Sequence, residues 1–293
     1  MSSHSDSQQP QYYSVCKSGL PGTKDYRVYL HESDRLVSPW HDVPLYLDQK
    51  QGLVNMIVEI PRWSNVKMEI TKDEFLNPIR IPVELWGSSS DMGRSQLKDS
   101  NTSIPGDGDP LDVCELAGDI GFTGQVKAVK VLGAFAVIDE GETDWKIVVI
   151  DMENPAAEQI NDISQVERQM PGYLGTMKEW FRVYKVPDGK KKNDIALNGE
   201  IKGREFALNL IEHYHRSWKS IQPEPSVHTK ASMDDIGLRE NTLAGQLYHE
   251  QKEDLHHIHI DKGLVESIHT QLLVLATGSG NANHFNDQVS VPL

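Results

Sequence analysis

Apolar residues in the N-terminal half of this chain recur mostly with period two. From Leu53 to Ile60 an apolar run ends at Pro61, and Val66, Met68 and Ile70 then alternate with Lys67 and Glu69. The two stretches are predicted to form a strand pair with Lys67 and Glu69 on one face. GQVKAVKVLGAFAVID and WKIVVID supply further strands, with Gly133 as a bend and EGET as the turn between them. After Asn161 the period lengthens. Phe206, Leu210, Tyr214 and Trp218 recur every fourth residue with Ala207 and Ile211 beside them, which predicts an amphipathic helix from Arg204 to about Ile221. Tyr173 to Val186 is a second predicted helix, stopped by Pro187.

Three segments follow from these periods. Residues 1–25, rich in Ser, Gln and Gly, read as a flexible arm, and DYRVYL opens the ordered domain, which runs from 26 to 221. Residues 222–293 read as a polar tail, with one further helix near Leu264 to Ala276. A coiled, barrel-like sheet with helices packed on it is the architecture expected.

Charge changes this picture more than size does. In 293 residues, Lys+Arg 29 against Asp+Glu 43 gives a net charge of -14, which disfavours nucleic acid and other polyanions unless metal ions intervene. No apolar run reaches membrane length. The first fifteen residues carry no apolar run and no Arg or Lys, against a secretory or mitochondrial leader. The two cysteines, Cys16 and Cys114, make no disulfide framework, so a cytoplasmic location is expected, with Cys114 a buried thiol.

The carboxylates are unevenly placed. DGDPLD puts Asp107, Asp109 and Asp112 within six residues, and DEGETDWK adds Asp139, Glu140, Glu142, Asp144 and Lys146. Clustered carboxylates are hard oxygen ligands, and bound cations such as Mg²⁺ relieve their repulsion. Each cluster alone reads as a solvated turn. Both together, beside Lys67 and Glu69, read as a multi-metal site. A calcium-binding loop starting at Asp107 fails on spacing, since its sixth and twelfth positions are Asp112 and Gly118. An aspartyl-nucleophile phosphatase fails because NTSIPG, not an apolar strand, precedes Asp107. His256, His257 and His259 read as solvated tail, and GSGNAN lacks the helix and Lys of a phosphate loop.

VEIPRWSNVKMEI, GDGDPLDVCE, TGQVKAVKVLG, DEGETDWK and PGYLGTMKEWFRVYKVPDGK, in this order, resemble the soluble family I inorganic pyrophosphatases of eukaryotic type, over residues 25–221 with one interruption. The resemblance implies an α+β, mainly β fold: an OB-like five-stranded β-barrel with flanking α-helices, in a homodimer that hydrolyses pyrophosphate with several Mg²⁺ ions, Mn²⁺ being a possible substitute. It implies that Asp107, Asp112 and Asp144 ligate the two metals next to the attacking water, and that Asp109 deprotonates that water. Glu69 and Asp139 would serve the metals bound with substrate, and Glu59 lies at the edge of the set. Lys67, Tyr184 and Lys185 would hold phosphate oxygens, and Lys146 would bridge metal ligands and phosphate.

The interruption is RIPVELWGSSSDMGRS, residues 80–95. Family members carry a Lys/Arg-bearing strand here and then a segment resembling GYxWNYGAxPQTWEDP, which contributes an arginine and two tyrosines to the phosphate site. Reverse-translated with permitted codons and read one base later, Arg80 to Ser95 gives GYPWNYGALPQTWEDP. The single codons of Trp86 and Met92, each followed by Gly, force Gly and Trp in that frame. The stretch thus reads as family sequence out of frame, from a skipped exon or faulty gene model; a diverged loop is the alternative. The family tyrosines would fall at Ile81 and Leu85, and the arginine has no counterpart. Residues 80–105 are therefore expected to be an irregular, poorly packed excursion. Two functions stay open: an inorganic pyrophosphatase, or a catalytically impaired relative serving as dimer partner or assembly subunit.

Overall fold

Strand β9 (Val126–Asp139) organises the protein, and its near-continuous burial is that of a strand covered on both faces. The computed structural model describes residues 12–33, 35–64, 66–82, 98–116 and 118–221. In chain order the other strands are β1 (Tyr13–Ser18), β2 (Arg27–Glu32), β3 (Arg35–Val37), β4 (Tyr46–Asp48), β5 (Leu53–Ile57), β6 (Glu69–Ile70), β7 (Ile79–Arg80), β8 (Asp112–Leu116), β10 (Glu142–Asp151), β11 (Asp194–Ile195) and β12 (Lys202–Gly203). The helices are α1 (Ile163–Gln169), α2 (Tyr173–Val183) and α3 (Arg204–Ile221). They make an α+β, mainly β fold of two sheets. One runs β1-β2-β7-β6 with β3 on β2, and the other runs β4-β5-β9-β10-β8 with β11 and β12 on β9.

The predicted bend at Gly133 is a β-bulge with a consequence for the core. Val148 pairs with Gly133 and Val149 with Val131, so Leu132 has no partner and the alternation shifts by one. Val129, Val131, Ala134 and Ala136 therefore all face Ala207, Leu210 and Ile211 of α3, while Leu132, Phe135 and Val137 face α1. A side chain at Gly133 would run into the Lys202 carbonyl and Ile163. The predicted EGET turn is a two-residue hairpin in which Glu140 (φ 50) and Gly141 (φ 94) are both left-handed, as a type I′ turn needs.

Helix α3 has the bounds its period predicted, whereas α2 ends at Val183, three residues early, and a 3-10 turn over Val186–Asp188 follows. Other expectations are corrected. The chain is ordered well before residue 25: β1 pairs with β2 over six positions and buries Val15, an alternation that the polar composition hid. The two stretches around Pro61 do not pair with each other. A turn closed by Ser64 N–H on the Pro61 carbonyl carries the chain into the other sheet, where Glu69–Ile70 pairs with β7 while β5 pairs with β4 and β9. The described ends of the 80–105 stretch are packed: Arg80 is in β7, Ile81 is buried in the first sheet's core, and Lys98 bridges Pro105. The middle of that stretch and the calls on 222–293 lie outside the described residues.

Candidate active site

The β9–β10 hairpin presents Asp139, Asp144 and Lys146 on the face turned toward α2, because the odd positions of β10 (Trp145, Ile147, Val149) belong to the opposite core. Strand β8 runs parallel to β10 and sets Asp112 beside Lys146 in register. The loop before it enters through a bridge from Gly106 to Thr143, and Asp107 Oδ1 then accepts the Asp109 N–H at 3.0 Å, turning the chain at Gly108. Glu59, just beyond β5, accepts the Ile70 N–H at 2.7 Å and so ties the two sheets together at the site.

Lysines lie between these carboxylates. Lys146, 3% exposed, pairs with Asp112 and with Asp144 at 2.6 Å, and its ammonium stands 5.1 Å from the centre of the Phe181 ring. Lys185 pairs with Asp139, on which the Tyr184 hydroxyl also donates at 3.4 Å. Lys67 pairs with Glu69 at 3.3 Å, and Lys72 pairs with Asp109.

The electrostatics show that these pairs form one system. Burial pushes Asp144 up to about 7; Lys146 opposes this, and Asp112 and Asp107 reinforce it. Burial pushes Glu59 up to about 7 as well, against the Ile70 amide, with Asp112 and Glu69 adding to the rise. Asp107 is raised by burial and by Asp109 and Asp112. For Lys67, burial acts downward, but Glu69 and then Asp112 and Asp109 hold the ammonium above its usual range. Lys146 is raised by Asp112 and Asp144 in the same way, against burial. Tyr184 is raised by burial and by Asp139.

All eleven sequence-derived residues thus fall in one interacting region. Sequence reasoning did not single out Lys72, nor Asp99, whose carboxylate accepts from Trp145 Nε1 at 2.9 Å and the Tyr214 hydroxyl at 3.2 Å just ahead of the acidic loop. The pattern DSNT, in which an Asp accepts backbone N–H groups two and three residues on, was the available signal for Asp99. Cys114 lies alongside on β8, where it is half-buried, not fully buried as expected, and desolvation pushes its thiol up to about 12. An open groove of about 390 Å³ between α2 and β11 includes none of the eleven residues.

A metal ion suits this donor set by chemistry and charge. Every candidate ligand is a carboxylate, and Asp139 Oδ1 is buried without a hydrogen-bond partner. Among the described residues no three His, Cys, Asp or Glu side chains already converge on one point, since the lysines hold the carboxylates apart.

Comparison with known proteins joins this geometry to a lineage. The family model described as inorganic pyrophosphatase matches residues 56–219, a span that includes all eleven residues. A Candida glabrata protein named inorganic pyrophosphatase is 42% identical, covering 81% of this chain and 88% of its own length. One of the same name from Eremothecium gossypii is 46% identical, covering 79% and 86%. Among solved structures, an inorganic pyrophosphatase from Schistosoma japonicum superposes with a TM-score of 0.65 at 37% identity, over 72% of this chain and 83% of that one. A Trypanosoma cruzi vacuolar soluble pyrophosphatase in complex with PPi superposes with a TM-score of 0.64 at 30% identity, over 75% and 95%. With identity of this level across most of both chains and the acidic loops inside the matched span, this chain belongs to the inorganic pyrophosphatase family.

Proposed function

We propose that this chain hydrolyses inorganic pyrophosphate to two phosphates, using water as nucleophile and divalent cations held among its carboxylates. The observation that carries the reading is the alternation of anion and cation around Lys146: a polyanionic substrate needs lysines, its metal ions need carboxylates, and both are interleaved within a few ångströms. Members of this family are metal-dependent, and the all-oxygen donor set favours Mg²⁺, with Mn²⁺ as a substitute. When bound, such ions supply Lewis acidity that lowers the pKa of water and neutralises the substrate's charge.

Asp107, Asp112 and Asp144 would hold the two ions nearest the attacking water. Glu69 and Asp139 would hold those that accompany pyrophosphate, with Glu59 at the margin. Asp109 accepts the proton of the water whose oxygen bonds to phosphorus, as the bridging P–O bond breaks and its electron pair leaves on the departing phosphate. Lys67, Tyr184 and Lys185 bind phosphate oxygens, and Lys146 spans carboxylates and phosphate. Such fixed cations act where charge develops in phosphoryl transfer.

The catalytic unit in this reading begins at β1 and ends at residue 221, in a homodimer in the cytoplasm, without nucleic-acid or membrane partners. Exposed Ile60, Trp63, Ile120 and Phe122, on two loops joined by Arg62 donating to the Gly118 carbonyl at 3.2 Å, offer an apolar surface for a second copy. Among the described residues no helix is long and apolar enough to cross a membrane.

Phosphate release from pyrophosphate at saturating Mg²⁺ tests the reading, run beside a variant carrying the missing block and GYPWNYGALPQTWEDP. Hydrolysis by this chain is expected, at least about a hundredfold slower than by the restored one, because an arginine and two hydroxyl donors are missing. Release no faster than that of an Asp109→Ala variant would refute it.

A further inference from the structure

Lys72 has no part in the roles assigned above, yet its ammonium group touches the loop that carries the proposed proton acceptor. It follows β6 at a turn fixed from inside the protein. The Thr71 N–H donates to the Pro78 carbonyl at 3.0 Å, Asn77 Nδ2 donates to the Thr71 carbonyl at 3.0 Å, and the Ser38 hydroxyl donates to Asn77 Oδ1 at 2.7 Å. Ser38, Thr71 and Asn77 are all buried, so Lys72 projects from a stiff base.

From that base Nζ pairs with Asp109 Oδ1 and donates to the Gly108 carbonyl at 3.4 Å. A carboxylate and the carbonyl of the preceding residue, both held by one ammonium group, define a direction as well as a charge. The Asp109 N–H is at the same time fixed on Asp107 Oδ1 at 3.0 Å, so the loop is gripped from two sides. The neighbouring cation Lys67 is engaged with Glu69. Ion pairs as open as this one, with side chains 35% and 51% exposed, add little to stability, so the contact matters through orientation.

We propose that Lys72 is a positioning residue for Asp109, holding the acceptor carboxylate in the direction from which it meets the attacking water. The inference rests on reading the site as a pyrophosphatase centre. Misplacement of a reacting group by about 1 Å can cost on the order of a hundredfold in rate, which is the scale on which such a residue acts.

Lys72→Met, Lys72→Arg, Asp109→Asn and the Met/Asn double variant decide it, with phosphate release read at saturating Mg²⁺. Lys72→Met is expected to lower kcat at least about tenfold with KM within about twofold, while Lys72→Arg keeps most of the rate. The double variant is expected to be no slower than Asp109→Asn alone, since Lys72 acts through that carboxylate. By calorimetry the Mg²⁺ affinity of Lys72→Met is expected to stay within about threefold of the unmutated chain's, because Asp109 is not among the assigned ligands. Unchanged kcat in Lys72→Met, an equal loss in Lys72→Arg, a loss confined to KM or Mg²⁺ affinity, or further slowing in the double variant would overturn the proposal. If the unmutated chain releases no phosphate, the pyrophosphatase reading fails instead. The Lys72–Asp109 contact is then judged by a crystal structure of the unmutated chain: Nζ on the Asp109 carboxylate upholds it, and Nζ turned elsewhere overturns it.

Discussion

Asp99 is 9% exposed, and both of its carboxylate oxygens accept hydrogen bonds. One oxygen accepts the Asn101 and Thr102 N–H groups at 2.8 and 3.0 Å, and the other accepts Trp145 Nε1 and the Tyr214 hydroxyl. It thereby fastens the segment entering Asp107 to β10 and to α3. Replacing it with alanine strands the indole N–H of Trp145, which is 3% exposed and can only donate, together with the half-buried Tyr214 hydroxyl. Each stranded donor costs roughly 1 to 3 kcal/mol, so a total of about 3 kcal/mol is expected for Asp99→Ala. In a domain of this size that corresponds to a fall in Tm of about 6 to 12 °C. Asp99→Asn keeps the shape but sets an amide against one set of donors, and about half the loss is expected. Thermal unfolding followed by circular dichroism in metal-free buffer at neutral pH measures both. Although burial acts upward on Asp99, the Trp145, Asn101, Thr102 and Tyr214 bonds outweigh it and hold the carboxyl below its usual range. Its stabilisation is therefore present above the unfolded-state pKa and lost as pH falls through the lower folded value, so the gap to Asp99→Asn narrows in acid. An Asp99→Ala chain melting within about 2 °C of the unmutated one would show that these bonds do not hold the segment.

Calorimetric titration with Mg²⁺ or Mn²⁺ is expected to show binding by the unmutated chain that weakens at least about tenfold in Asp112→Ala or Asp144→Ala; no binding at millimolar ion would remove the ligand assignments. Glu59, raised to about 7 by burial and by Asp112 and Glu69 against the Ile70 amide, favours the protonated fold. Its contribution is present below the unfolded-state pKa and lost as pH rises toward 7, so metal-free Glu59→Gln is expected to match the unmutated chain near pH 4.5 and to exceed it at pH 8 by on the order of 2 kcal/mol. Parallel stability curves for the two chains from pH 4.5 to 8 would contradict that burial effect.

The long periodic elements and the motifs that carry the family were legible in the sequence, because each depends on what a residue does for its own neighbours along the chain. The fourfold spacing of Phe206, Leu210 and Tyr214 suffices for an amphipathic helix, and EGET suffices for a tight turn. The carboxylates of DGDPLD and DEGETDWK identify hard-oxygen chemistry wherever they end up, and the order of the motifs carries the family. Strand pairing was not legible. Nothing local to Leu53–Ile57 states that its partner is β9, over seventy residues on, and not the apolar stretch beyond Pro61. Only the tertiary structure decided which cation meets which anion, since Lys72 reaches Asp109 and Asp99 reaches Trp145 and Tyr214 across sequence gaps that no local period encodes. It decided too that the Glu59 and Asp144 carboxyls are pushed well above the usual carboxylate range, because a carboxyl's pKa is set by the solvent and charges around it, and those are supplied by residues brought there from elsewhere in the chain.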